Sequence, residues 1–423
     1  MDQPTFNPTL TFPAAMDTPG VRSANAQILS LALMDARNHS LALLTAWEQT
    51  AAKAKWPPPV ACNDPWWVAG RIGWFAEFWT GRNPQRGLGV ACPGDASRLA
   101  SIEPQADAWW AQGVKPDAAK TNATLPDAPT VRAYLLETLE ATLELLDSER
   151  DVPEALYFFQ LALFHEDWQR ERLMVQAQTL GLPLKVQLPG GMRHSEPLLL
   201  PAGRWQLGSV PAQGFCPDNE LAAHTLAVPE FEIDAQPVSW SQYLEFVDDG
   251  GYDRAELWNP QGWAWLQAQE MEQEHGGGRR APRHVEQISM ASGAVLQTRF
   301  GAGARMAGNQ AVMHVTWWEA DAWCRWAGRR LPDELEWEVA ACQASRRGFA
   351  WGDVWEWTAG KFYAYPGFVR GPWARYSAPH FGNTRVLRGA SFATHPRLKT
   401  PKFRGFAAPG YDAGFVGFRS CAD

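Results

Sequence analysis

The chain has 423 residues, a formal net charge of -8, 23 tryptophans against 8 tyrosines, 36 glycines, 32 prolines and six cysteines. The acidic balance argues against a nucleic-acid partner, which needs clustered lysine and arginine, and the scattered Cys62, Cys92, Cys216, Cys324, Cys342 and Cys421 argue against a zinc ribbon or a disulfide scaffold. No 18 uninterrupted apolar residues occur, so no membrane partner is expected, and a reduced, cytoplasmic protein acting on a small molecule is the expectation.

In chain order, residues 24–54 (ANAQILSLALMDARNHSLALLTAWEQTAAKA) are apolar at helical spacing with no internal glycine or proline, and predict a long helix. WWVAGRIGWFAEFWTGR (66–82) continues the pattern, and TVRAYLLETLEATLELLDSE (130–149) shows it more clearly. A fourth helix is expected over 153–181, opened by Pro153 and stopped by Gly181. Four helices joined by longer connections predict a four-helix bundle.

The helical period stops at 182–205, where proline and glycine crowd together. Beyond it, short apolar stretches alternate with glycine, proline, asparagine and aspartate, and clear helices are expected only at 317–328 and 333–342. Asp333 is placed to cap the second of these, with Glu336 completing a capping box. EMEQEHGGGRRAPRH (270–284) is expected to be an exposed insertion. The chain therefore reads as α+β, a helical half followed by a loop-rich half, with tryptophans for aromatic clusters and for faces that take a cationic ligand.

The second half carries RWQLGS (204–209), PDNELAAHTLAVPEFEIDAQPVSWSQYLEFVDDGGY (217–252), VMHVTWWEADAWCRWAGRRLPDELEWEVAA (312–341), WGDVWEWTAG (351–360), RVLRGASF (385–392) and GFRSCAD (417–423). Together these resemble the domain shared by the formylglycine-generating enzyme and the ergothioneine sulfoxide synthases, which implies a C-type-lectin-like fold. The helical half resembles the DinB-like bundle of the same synthases, which implies two domains, 1–190 and 191–423. Trp355, Trp357 and Arg388, with His224, His314 and His395, are read as scaffold. Formylglycine generation is not expected, because it resembles copper-dependent oxidation through paired cysteines near the C-terminus and Cys421 stands alone there.

Resemblance to the synthases implies a non-haem Fe(II) held by three histidines. One belongs to a W-x-x-x-H-I pattern on the second helix and two to an H-x-x-x-H-x-E pattern on the fourth, leaving iron positions open for oxygen and a sulfur or selenium substrate. Here Arg71 stands at the first position, His165 and Glu171 are kept, and Gln169 takes the second position of the pair. Gln169 still shares a helix face with His165, whereas a guanidinium at 71 sets a permanent positive charge beside any cation. His39, on the first helix, is the other histidine of this half. A displaced site of His165 and His39 with Gln169 or Glu171 is the alternative to a hydrogen-bonded, metal-free His165.

The synthases act on hercynine, the trimethylated betaine of histidine. A trimethylammonium group is held by aromatic faces, each contact contributing roughly 0.5 to 2 kcal/mol. Trp67, Trp74 and Trp168, beside Trp66 and Phe75, supply such faces, and Arg71 joins them as a candidate substrate contact. The stretches expected to hold a peptide-thiol donor, 109–126 and 403–409, depart from that pattern, the first having no arginine. This favours the branch resembling selenoneine synthase, which joins a selenosugar to hercynine. Three functions stay open: an Fe(II)- and oxygen-dependent synthase forming a C–Se or C–S bond on hercynine, a metal-free protein that binds a betaine, and a scaffold.

Overall fold

A computed structural model describes residues 16–51, 64–111, 126–211, 214–272, 278–289 and 292–423. Helices α1 (Ala26–Ala51), α2 (Pro65–Trp79), the short α3 (Ala106–Trp110), α4 (Ala128–Asp147) and α5 (Pro153–Thr179) make up the first half. Their ends follow local chemistry. Asp64 and Asp127 accept from the backbone N–H groups of Trp66 and Thr130, prolines occupy first-turn positions that need no N–H, and Gly181 leaves α5 at a φ of 65°.

α1 and α2 each pack on both α4 and α5, while the pairs α1–α2 and α4–α5 touch little, so the long helices close a bundle in the order α1, α4, α2, α5. The glycines of GRIG let α2 approach its neighbours: a Cβ at Gly70 would stand 2.1 Å from the Trp110 ring. Glu77, also on α2, accepts from Tyr134, Ser101 and the Ile102 backbone, and so ties the following loop to the bundle.

In the second half β1 (Leu198–Leu200) pairs with β4 (Phe231–Ile233) and β2 (Gly203–Leu207) with β3 (His224–Val228), all antiparallel. Helices α6 (Trp240–Asp248) and α7 (Pro260–Glu272) precede a meander of β5 (Val285–Ser289), β6 (Ala294–Arg299) and β7 (Ala302–Met306). α8 (Trp317–Trp326) and α9 (Glu334–Gln343) follow. β8 (Trp355–Lys361), β9 (Arg385–Gly389), β10 (Gly405–Ala407) and β11 (Val416–Phe418) form a sheet in the order β10–β9–β8–β11, antiparallel except for β8 with β11. Among the described residues no helix is long and apolar enough to cross a membrane.

The capping box of Asp333 and Glu336 is formed as the spacing predicts. α6, α7 and the meander are not among the expected elements, and the exposed insertion over 270–284 is corrected in part. Residues 273–277 lie outside the described residues, but Arg279 donates to Glu319 at 2.8 and 3.0 Å and to Asp412 at 2.6 Å, which fastens its side of the segment to buried carboxylates.

Two apolar clusters join the halves. Phe75, Phe158 and Phe164 share one with Phe215, Tyr376, Leu398 and Phe403, and Trp47, Met174 and Leu182 share another with Phe300, Met313, Val354 and Phe415. The five most deeply buried arginines among the described residues are paired. Arg37, Arg388, Arg397, Arg404 and Arg419 are fully buried, and each donates to a carboxylate, of Glu166, Glu338, Asp167, Glu334 and Glu356 respectively. Such pairs are costly to break, about 3 to 5 kcal/mol when one partner is removed.

Candidate functional site

α5 is buried on nearly every side at the junction of the halves, and the residues of HEDWQRE point to different neighbours. Glu166 accepts from Arg37 at 2.9 and 3.0 Å. Asp167 accepts from Arg397 at 2.6 and 3.2 Å; burial pushes its carboxyl up to about 6 although Arg397 pulls the other way. Glu171 accepts from Trp355 Nε1 at 2.7 Å, Ser391 Oγ at 2.6 Å and Thr394 Oγ1 at 2.8 Å. The carboxylate expected beside a metal thus holds the second half of the molecule instead, with both oxygens engaged.

His165 is 1% exposed. Its ring stacks on Phe75 at 3.7 Å and 11° and meets the edge of Trp373 at 5.5 Å. Its Nε2 lies 3.0 Å from Gln169 Nε2. With the Gln169 amide in this orientation its nitrogen donates, so the imidazole accepts at Nε2 and carries its proton on Nδ1, which has no partner among the described residues. Burial first, and then the charges of Arg71 and Arg172, hold the ring neutral, well below the usual histidine range.

Arg71 on α2 and Arg172 on α5 act on this ring, and the charge of Arg375, between β8 and β9, acts on Arg71. Arg71 donates to the Trp110 carbonyl and lies 5.4 Å from the Trp74 ring. Burial, and after it the charges of Arg172 and Arg375, lower it to about 10. Arg172 lies 5.5 Å from the ring of Trp168, itself edge-on to Tyr376 at 5.4 Å and Trp373 at 6.2 Å. Arg172 and Arg375 are exposed and Trp168 and Trp373 half-buried, so the wall beside His165 opens to solvent.

The other expected residues lie elsewhere. Trp67 donates to the Trp109 carbonyl and Trp74 to Asp107, each at or below 2.8 Å, and both are buried against α3. His39 is exposed and does not join His165. It stands 3.3 Å from Asp35, with its ring 5.7 Å from that of His395. Asp35, His39 and His395 are, among the described residues, the one group of three potential metal ligands. Arg397 Nη2 already sits 2.8 Å from Asp35 Oδ2 and 3.3 Å from His395 Nε2, a built-in cation where a metal would go.

At His165 the three-histidine iron arrangement does not fit. Among the described residues its only side-chain hydrogen-bond partner is an amide, and two guanidinium charges act on the ring. Arg172, Arg375, Trp373 and Tyr376 escape the sequence reading. Arg172 had a signal, one helical turn beyond Trp168 on the face of His165, whereas GPWARY (371–376) carries none.

Comparison with known proteins adds to this geometry. The model of the sulfatase-modifying factor enzyme 1-like domain matches residues 188–353 and 350–423. The hercynine oxygenase of Mycolicibacterium smegmatis is 31% identical over 415 residues, covering 84% of this chain and 90% of its own. That of Mycolicibacterium thermoresistibile is 29% identical over 471 residues, covering 96% of each. The formylglycine-generating enzyme of Streptomyces coelicolor is 26% identical over 53% of this chain and 88% of its own.

Proposed function

The chain belongs to the hercynine oxygenase family and, through its second half, to the family of sulfatase-modifying factor enzyme 1-like domains, and from this we propose that it is an enzyme acting on hercynine or a closely similar imidazole betaine. The reaction is the joining of a sulfur or selenium atom from a second substrate to the imidazole. Supporting this reading is the setting of α5: Glu171 grips Trp355, Ser391 and Thr394, and this fixes His165 and Trp168 at the solvent-open aromatic wall. Trp168 and Trp373, half-buried and near perpendicular at 72°, offer faces to a trimethylammonium group. We place the division between the domains near residue 190, within the irregular stretch that follows α5.

Fe(II) enters this reading only as the family's cofactor. The residues at His165 do not fit it, since an amide contacts the ring and two guanidinium charges act on it. That misfit favours a second reading, a metal-free relative that binds the betaine without converting it, and Arg71 beside His165 is the observation behind it.

Turnover in air with hercynine and either gamma-glutamylcysteine or a selenosugar, with and without added ferrous iron, tests the first reading. Calorimetric titration with hercynine and with histidine runs beside it. Product supports the enzyme, selective binding of hercynine without product supports the second reading, and neither binding nor product removes both.

A further inference from the structure

We propose that the position at which the three-histidine signature would hold a metal is an anion site in this chain, in which Arg71, Arg172, Arg375 and the Nδ1–H of His165 hold an oxyanion. Resting on the function proposed above, the oxyanion is the carboxylate of the imidazole betaine.

The first support is charge. The five fully buried arginines all face carboxylates. Arg71, Arg172 and Arg375 have no ion pair among the described residues, although they come from α2, α5 and the loop before β9 and the charges of Arg172 and Arg375 both act on Arg71. The acids nearest in sequence to Arg172 are committed: Glu166 to Arg37, Asp167 to Arg397 and Glu171 to the second half. Like charges gathered without a counterion repel, and a bound oxyanion reverses the sign of that interaction.

Hydrogen-bond inventory gives the second support. Guanidinium groups only donate, and the proton on His165 Nδ1 is a fourth donor, buried without an acceptor. A buried donor left unmade is costly. Guanidinium donors from three elements with no paired carboxylate, Arg71 also donating to the Trp110 carbonyl, describe a receptor for a carboxylate or phosphate oxygen and the opposite of a metal site. Trp168 and Trp373 stand beside it, so the two ends of a betaine meet different chemistry: guanidinium groups for the carboxylate, indole faces for the trimethylammonium.

The test is calorimetric titration of the full chain with three probes: hercynine, hercynine amide (carboxylate replaced by carboxamide) and inorganic phosphate. Hercynine is expected to bind, phosphate to compete with it, and the amide to bind at least about tenfold more weakly. Arg172→Met, at an exposed side chain without a hydrogen bond, is expected to keep the wild-type melting temperature and to weaken hercynine and phosphate by about tenfold, with Arg71→Met acting in the same direction. Phosphate binding that is lost in Arg172→Met while hercynine fails to bind supports the anion site and removes the betaine. Absence of binding by hercynine and phosphate alike, binding that both variants leave unchanged, or cobalt(II) binding to wild type that depends on His165 overturns the anion site.

Discussion

Ser391 donates to Glu171 at 2.6 Å across the junction, with both side chains buried, six residues or about 9 Å along α5 from His165. The helix that carries the candidate site is therefore positioned by the second half as much as by the bundle. Trp355 and Thr394 complete the same acceptor set, so one carboxylate takes three donors.

Glu171→Gln keeps the shape but turns one acceptor into a donor that faces donors. It is expected to cost about 2 to 3 kcal/mol and to lower the melting temperature, with Ser391→Ala costing about 1 kcal/mol. Thermal melts of the two variants check this. A Glu171→Gln protein that melts with wild type would return Glu171 to the pool of free ligands.

Arg71 and Gln169 are the two departures from the three-histidine set, and restoring both is expected to create a metal site. The double variant Arg71→His, Gln169→His should take up about one equivalent of cobalt(II), with a visible absorption band that His165→Ala removes, since residues four apart share a helix face. Gln169→His alone should bind far more weakly, because the guanidinium of Arg71 still opposes a cation. Wild type binding cobalt as tightly as the double variant defeats this account.

The bundle was legible because its signals are local. Period, proline starts and Gly181 place the start of α1 and the ends of α2, α4 and α5 to within a few residues, and the Asp333–Glu336 box lies within one turn. α6 and the three-stranded meander are short, and their burial depends on partners far away in the chain, so no window of sequence shows them. The same reason divides the site. His165, Gln169 and Arg71 stand at spacings a reader can count. The partners of Glu166 and Asp167 lie 129 and 230 residues distant, so nothing near HEDWQRE announces that its acids are already used. Arg375 reaches the site from a loop with no motif, and His39, whose helix gave it the look of a partner for His165, is taken by Asp35 and His395.

If the indole faces hold a trimethylammonium group, Trp168→Leu should weaken hercynine by about 2- to 30-fold, the range of a single cation–π contact. Histidine, which lacks the methyl groups, should lose little. Calorimetry on the variant with both ligands separates these outcomes, and equal losses for the two would move the ammonium pocket away from Trp168.

His165 also sets a pH dependence of stability whose sign can be worked out. Its pKa in the folded protein lies well below 6.5, through burial first and then Arg71 and Arg172, while the unfolded chain protonates it near 6.5. Below about pH 6.5 the unfolded state therefore binds more protons, and stability falls as pH falls; above it this contribution is constant. Asp167 acts in the opposite sense. With its folded pKa raised to about 6, it takes a proton in the folded protein before it does in the unfolded chain, and so adds stability as pH falls from about 6 to 4. His165→Asn removes the first effect and leaves the second, so the difference between the two proteins isolates the histidine. Wild type should lose about 1.4 kcal/mol relative to the variant for each pH unit below about 6.5. Denaturation at pH 7.5, 6.5 and 5.5 measures it, and curves for the two proteins that stay parallel over that range would show His165 taking up its proton in the folded state, as a ring open to solvent does.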